Sequence, residues 1–323
     1  MCGFAGALQR DTSGQRWQEQ LSAMGARLVH RGPDDDGEWF DPAAGIGFAH
    51  RRLAVIDVSR EGRQPMAGRS GRFVIAYNGE IYNFEELRSR LAGENIPWRG
   101  HSDTEVLLAA IEAWGLAETL RRAVGMFAFA LWDREERQLH LVRDRVGIKP
   151  LYYGWCGGSL LFGSELKALR GHPGFSADVD RAALSAFLYH CYVPAPRTIY
   201  RGVFKLPPGT LLTVSAENET VEPQAWWTMG VAAERGLREP FDGSAEEAMD
   251  QLERQLRDSV GLRMLADVPV GAFISGGIDS SLVASLMQAQ STRPIQTFSI
   301  GFEETGYDES PYAKSVAQHL GTD

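Results

Sequence analysis

Short apolar runs alternate with turn residues over the first two hundred positions. The runs at 45–49 (GIGFA), 72–77 (RFVIAY), 126–132 (MFAFALW), 138–142 (QLHLV), 151–155 and 159–163 are rich in Phe, Val, Ile and Tyr. Several are bounded by Gly, Asp or Asn, the signature of strands. Two helices interrupt them. Positions 84–91 carry Leu87 and Leu91 four apart, and 104–114 repeats apolar residues at helical spacing. Strands outnumbering helices, with the helices in blocks, predict an α+β domain of stacked sheets and helices.

The texture changes at 194–209, where Pro194, Pro196, Pro207, Pro208 and Gly209 punctuate the chain. The stretch 218–243 is polar, with Pro223 and Pro240, and reads as a domain edge followed by a connecting region. A helix is then predicted from Ser244, a capping residue with Glu247 three positions on, to about residue 265. It carries Leu252, Leu256 and Val260 on one face. An apolar run at 268–274, a Gly-rich turn, a helix at 279–289 and a run at 295–302 form one βαβ unit, hence a parallel sheet. Two strands in roughly 80 residues neither cover both faces nor protect their edges, so this α/β domain is expected to be incomplete. The expected boundaries are 2–212, 213–243 (connecting) and 244–323.

Composition narrows the classes. The 323 residues are 44% hydrophobic and 23% charged, which excludes a disordered or fibrous chain. With 33 Lys+Arg against 42 Asp+Glu, a net charge of -9 offers no global field for nucleic acid or an anionic membrane. Small-molecule chemistry is the expectation. Cys2, Cys156 and Cys191 form no disulfide framework, and neither they nor the seven His show metal-ligand spacing. His190 and Cys191 are read as packing residues on an aromatic helix, and Trp226 and Trp227 as covering apolar surface. No apolar run spans a bilayer and the N-terminus lacks a secretory signal, so a cytoplasmic protein is expected.

The candidate chemistry starts at Cys2. Removal of Met1 would leave its thiol beside a free α-amine, a base able to activate it. Arg51 and Arg52 (HRRLAVID), Asn78, Gly79 and Glu80 (YNGEIYN), and Ser102 and Asp103 (HSDTE) suit an amino-acid amide. An Arg clamps a carboxylate, an acid holds an ammonium, and an Asn amide with a Gly N–H stabilises an oxyanion. Each has a plain alternative: Asn78-Gly79 as a hairpin turn, either Arg as a surface charge, Asp103 as a helix cap.

Taken in order, MCGFAG, RGPDDDG, HRRLAVID, QPM, YNGEIYN, HSDTE, GMFAFALWD and RDRVGIKPLYY resemble the class II glutamine amidotransferase domain of asparagine synthetases, from Cys2 to about Leu212. The resemblance implies a four-layer αββα sandwich with an N-terminal nucleophile. It assigns Cys2 as nucleophile and Arg52 as the glutamine carboxylate site, with Leu53 and Val55 nearby. Asn78 and Gly79 become the oxyanion hole, and Glu80 and Asp103 the holders of the substrate's amino end.

A second constellation, SGGIDSS at 275–281, lies between an apolar strand and a helix. Paired glycines, hydroxyls and helix-start amides suit phosphate oxygens, and no Lys follows as in a Walker A loop. The motif resembles the pyrophosphate loop of N-type ATP pyrophosphatases, which follows the glutaminase domain in asparagine synthetases. That resemblance implies ATP with Mg2+ and an acyl-AMP intermediate. Ser275, Gly276, Gly277, Ser280 and Ser281 would then hold phosphates, Ile274 and Ile300 the nucleotide, and Asp279 would lie near the magnesium.

The function this implies is glutamine-dependent amidation of an ATP-activated carboxylate, with aspartate the default acceptor. The sequence leaves open other acceptors, a stand-alone glutaminase and the oligomeric state, a homodimer included.

Overall fold

The computed structural model describes residues 1–9, 16–215, 222–304 and 306–323, so part of the expected connecting region, 216–221, lies outside the described residues. The chain divides into two compact units, Met1–Arg235 and Gly236–Asp323.

Two antiparallel sheets build the first unit. One has the order β10-β8-β9-β1-β3-β2. Its strands are β1 (Gly3–Gln9), β2 (Asp35–Asp41), β3 (Ile46–Arg52), β8 (Tyr152–Cys156), β9 (Ser159–Gly163) and β10 (Val203–Lys205). The other has the order β12-β11-β7-β6-β5-β4. It comprises β4 (Met66–Ala67), β5 (Phe73–Ile81), β6 (Gly125–Asp133), β7 (Gln138–Arg143), β11 (Thr210–Ser215) and β12 (Gln224–Ala225).

Strand alternation explains why these sheets stack. Phe4 and Leu8 of β1, Ile46 and Phe48 of β3, and Phe162 of β9 share a buried cluster with Val74 and Ala76 of β5, Trp132 of β6 and Leu141 of β7. Successive side chains face opposite ways. Ala7 and Ala49 therefore pack with Trp17 and Leu21 of α1 (Trp17–Ala26) and with Leu169 of α5 (Leu166–Leu169). Over the other sheet, α3 (Asp103–Trp114) lies against β5, with α2 (Phe84–Arg90) and α4 (Leu116–Arg122) beside it. The result is the αββα sandwich that the motifs implied.

Asn78 and Gly79 sit inside β5, paired with Ala128 and Phe127, rather than in a hairpin turn. A Cβ on Gly79 would approach Phe127 Cα at 2.7 Å, so this position of the ladder takes glycine. β1 and α1 escape the sequence pattern. Every residue of β1 is buried and so shows no alternation, whereas α1 is identified by its contacts rather than by strong periodicity. Helix α6 (Arg181–His190) ends where Cys191 takes a left-handed conformation, and both His190 and Cys191 are exposed. Trp226 stacks on Phe127, 6.2 Å between ring centroids, and is thus part of the first unit.

The division at Arg235 falls within α7 (Met229–Arg238). In the second unit, α8 (Ala245–Leu262) opens with the expected capping box of Ser244 and Glu247. Leu256 and Val260 reach the core while Leu252 is exposed, so the apolar face is only partly covered. β13 (Gly271–Phe273), α9 (Ile278–Gln290) and β14 (Gln296–Phe298) form the βαβ unit, and the strands pair in parallel, Ala272 opposite Thr297. α10 (Ser310–Leu320) adds Ala313 to the core. Both strands are shorter than their apolar runs, because each has a single partner and residues outside the register form no ladder.

One polar bond ties the two sheets together. His50 of β3 is buried, and its Nε2 donates to the Tyr77 carbonyl of β5 at 2.8 Å, leaving Nδ1 without a partner. Burial lowers its pKa from 6.5 to about 4. The folded-state value lies below the unfolded one. The neutral ring's stabilisation is therefore complete above about pH 6.5 and is lost as pH falls toward 4. The shift corresponds to about 3 kcal/mol. We expect urea unfolding followed by tryptophan fluorescence at pH 7 and pH 4.5 to show a larger acid destabilisation in the wild type than in His50→Gln. Equal pH dependence would remove His50 as the cause.

Candidate active site

Every residue assigned by resemblance to glutamine lies around one cavity of about 110 Å³. Cys2, Arg52, Leu53, Val55, Asn78, Gly79, Glu80 and Asp103 line it, together with Met1, Gln64, Tyr77, Thr104 and Lys149.

Cys2 stands one residue before β1. The Leu53 amide donates to its sulfur at 3.3 Å, and Arg31 Nε donates to its carbonyl at 2.8 Å. Desolvation pushes the thiol above its ordinary pKa, although the Leu53 hydrogen bond and the N-terminal charge oppose the shift. The thiol therefore needs a base. The N-terminal amine, carried here by Met1, is held below its ordinary value by desolvation, with Arg31 and Lys149 adding to that and Cys2 and Asp34 opposing. Such an amine keeps a larger neutral fraction near pH 7.

Arg52 is buried at the end of β3. Its guanidinium donates to the carbonyls of Ser59 (3.0 Å), Ile56 (3.4 Å) and Asp57. Three bonds leave donors over for a bound carboxylate. Arg51 points elsewhere, to the Gly25 carbonyl and Asp36, which settles which arginine of the pair enters the site. Asp103 is the first residue of α3, whose cap is Ser102 rather than Asp103 itself. Its carboxylate accepts the Tyr77 hydroxyl (2.8 Å) and the Ile81 amide (2.9 Å), and burial still raises its pKa. A desolvated carboxylate in a cavity suits a cationic group.

Asn78 is 1% exposed and its Nδ2 has no hydrogen-bond partner. An orphaned buried donor on a cavity wall is costly unless a ligand oxygen meets it.

Among the wall residues given no role in the sequence analysis, three support the site by packing or bonding, and two of these lie in quoted motifs. Gln64, from QPM, accepts the Tyr77 amide at 2.7 Å and so fixes β5 next to Asn78. Lys149, from RDRVGIKPLYY, is buried and reaches Met1 Sδ at 3.2 Å, its pKa lowered by desolvation. The loop that delivers it is wound on Asp144, whose carboxylate accepts the amides of Ile148 (2.9 Å) and Lys149 (3.0 Å). Gly62 is the third: a Cβ there would run into the Arg52 guanidinium. No spacing rule flags a glycine packed on an arginine.

The second unit has its own cavity, lined by Ile274, Ser275, Ser280 and Ile300 among others. Ser280 Oγ accepts the Ser275 amide (3.2 Å), and the Gly277 amide donates to Ser275 Oγ (3.3 Å). Gly276 has φ +80, and a Cβ on it would reach 2.5 Å from Tyr312 Cβ. A glycine is thus required for the turn that brings this backbone to the start of α9. Gly276, Gly277, Asp279 and Ser281 belong to the turn and the first helical turn, and Asp279 is exposed. Among the described residues, no group of three or more His, Cys, Asp or Glu is placed to hold a metal ion.

Comparison with known proteins agrees with both halves. Residues 1–227 match the family model described as glutamine amidotransferase domain, and residues 251–323 match the one described as asparagine synthase. The chain belongs to the glutamine amidotransferase family. Over 99% of its length it is 36% identical to asparagine synthetase [glutamine-hydrolyzing] 1 of Bacillus subtilis, covering 49% of that protein. It is 32% identical over its full length to a putative asparagine synthetase [glutamine-hydrolyzing] 2 of Methanocaldococcus jannaschii, covering 64% of it. The chain thus spans about half to two thirds of these relatives. A solved structure titled as the allosteric regulatory enzyme of purine biosynthesis shares the fold at TM-score 0.50 and 19% identity, covering 70% of this chain and 49% of that one. No helix among the described residues is long and apolar enough to cross a membrane.

The packing of Gly62 on Arg52 gives a test of the expectation that Arg52 holds a glutamine carboxylate. Gly62→Ala should displace the guanidinium and raise the KM for glutamine by roughly 10- to 100-fold, the worth of charge-assisted hydrogen bonds, with a smaller change in kcat. Glutamate release measured against glutamine concentration decides it. An unchanged KM would remove Arg52 from the site.

Proposed function

We propose that the chain hydrolyses glutamine at Cys2 and that the protein delivers the ammonia to an ATP-activated carboxylate, aspartate by default, giving asparagine, AMP, pyrophosphate and glutamate. The observation that carries this reading is the single cavity that gathers a thiol, a guanidinium, a buried carboxylate and the unpartnered Asn78 amide. Removal of Met1 puts the α-amine on Cys2 itself. That amine takes the thiol proton, and the thiolate adds to the δ-carboxamide carbon of glutamine. Negative charge develops on the carboxamide oxygen, where Asn78 Nδ2 and the Gly79 amide donate. Collapse breaks the C–N bond, the α-ammonium returns its proton to the leaving nitrogen, and ammonia departs. Water, activated by the same amine, then cleaves the thioester to glutamate. Arg52 holds the substrate carboxylate, with Leu53 and Val55 beside it, while Glu80 and Asp103 hold its ammonium.

On this reading 2–212 form the body of the glutaminase, the stretch 213–243 connects while contributing β12 (Gln224–Ala225) to its sheet, and 244–323 open the ATP-binding unit. ATP supplies an adenylate leaving group. Ser275, Gly276, Gly277, Ser280 and Ser281 hold its phosphates, and Ile274 and Ile300 contact the nucleotide. The Gly276 turn, closed to any side chain by Tyr312, suits a backbone that must approach an anion. Asp279, exposed at the start of α9, would lie near a magnesium ion bound with ATP, which would neutralise phosphate charge. We place the protein in the cytoplasm, where glutamine, aspartate and ATP are available, and a homodimer belongs to the same proposal.

Cys2→Ala should abolish glutamate release, and Asn78→Ala should lower kcat by about 10²–10³-fold, the cost of one oxyanion donor. Intact mass should show Met1 absent from the active preparation. Glutamate release by Cys2→Ala at the wild-type rate would overturn the assignment.

A further inference from the structure

Asp57 is not among the residues that line the cavity holding Cys2, yet it bonds to both sides of it. It is fully buried and holds a left-handed backbone, φ +57. This conformation is uncommon outside glycine but open to Asp and Asn, whose side chains bond nearby amides. Its carbonyl accepts the Arg52 guanidinium. Its Oδ1 accepts the Ser59 amide (3.1 Å) and the Ser59 hydroxyl (2.5 Å), which closes the turn around that guanidinium. Its Oδ2 accepts the His101 amide at 2.9 Å, and His101 Nδ1 lies 3.8 Å away. His101 is two residues before Asp103. Gly100 packs so tightly that a Cβ there would overlap Asp57 Oδ2 and come within 3.0 Å of Glu61 Cβ.

We infer that Asp57 is a positioning residue: a latch that fixes the loop carrying Arg52 against the loop carrying Asp103 and so sets where an α-amino acid is held relative to Cys2. This rests on the glutamine-site reading above. Arg52 and Asp103 grip two groups on one carbon, so the reach from that carbon to the Cys2 sulfur is set by substrate length and by the spacing of the two grips. A latch made of one buried carboxylate keeps that spacing without entering the cavity. Burial opposes ionisation of this carboxyl, but the hydrogen bonds from Ser59 and His101 outweigh it and hold the pKa below its ordinary value. Near pH 7 the latch is therefore ionised and only accepts.

The test compares Asp57→Asn with the wild type by three readouts. Asn tolerates the same backbone, but its NH2 must face a donor where the carboxylate accepted. The expected result is a KM for glutamine raised about tenfold or more, with kcat changed less than about threefold, as for loss of ground-state binding. Labelling of Cys2 by 6-diazo-5-oxo-L-norleucine, a glutamine-shaped electrophile, should slow by a similar factor. Labelling by iodoacetamide, which needs no α-group recognition, should hold its rate. Ser59→Ala removes one latch bond at an exposed residue and should move KM the same way by a smaller factor, which keeps the test decisive if Asp57→Asn does not fold. An unchanged KM in either folded variant overturns the latch. So does a parallel loss of kcat, iodoacetamide reactivity and melting temperature. A wild-type chain that neither hydrolyses glutamine nor takes the glutamine-shaped label would strike the glutaminase reading instead.

Discussion

The site depends on the parity of two strands that face each other. Val74, Ala76, Asn78 and Glu80 leave the same side of β5, and Phe4 and Leu8 leave the side of β1 that meets it. Two residues before Phe4, the same parity brings Cys2 to the rim of that interface. The apolar pairs that stack the sheets therefore also aim the thiol and the Asn78 amide at one space. A slip of one residue in β5 would send Asn78 toward α3 and leave Tyr77 among the core side chains, and a slip in β1 would turn Phe4 and Cys2 away from that interface. The His50 bond to the Tyr77 carbonyl and the Gln64 bond to the Tyr77 amide fix the residue before Asn78 on both sides and oppose such a slip.

Burial has two consequences in that space. It makes the thiol a weaker acid, so that Cys2 requires a base, and it makes both neighbouring amines, the N-terminus and Lys149, weaker bases. The polar atoms that are already paired serve as scaffold. Asp103 and Arg52 each spend part of their bonding capacity on backbone that fixes their direction. Asn78 Nδ2, left without a partner on the cavity wall, is where the proposed chemistry develops charge.

Much of this architecture is legible in the amino-acid sequence. The strands at 72–77, 126–132, 138–142 and 159–163 are recognisable because their runs are rich in Phe, Val, Ile and Leu and turn residues bound several of them. The capping box at Ser244 and the parallel βαβ unit are legible for equally local reasons. β1 is not, because Gly3 and Gly6 weaken its propensity signal and Ala5 and Ala7 add little to it. Among site residues, those with a chemical type suited to an amino-acid amide stand out. Gln64, Gly62 and Asp57 do not, since each acts by packing or bonding to another residue rather than to a ligand. That relation exists only after residues distant in the chain have been brought together.

The same desolvation bears on the fate of the product under the proposed chemistry. Ammonia is useful to a second site only as the neutral nucleophile, and in bulk water near pH 7 it is protonated. The two amine groups present at the cavity, the N-terminus and Lys149, both have their charged forms disfavoured by burial. An ammonia molecule released between them meets the same bias, reinforced by the positive charges of Arg52 and Arg31, which repel a third cation. Asp103 and Glu80 would favour ammonium, but in the proposed mode they are engaged by the substrate's own α-ammonium when the C–N bond breaks. Under the proposed chemistry, the burial that raises the thiol's pKa, and so calls for a base, also disfavours a charged form of the departing nitrogen.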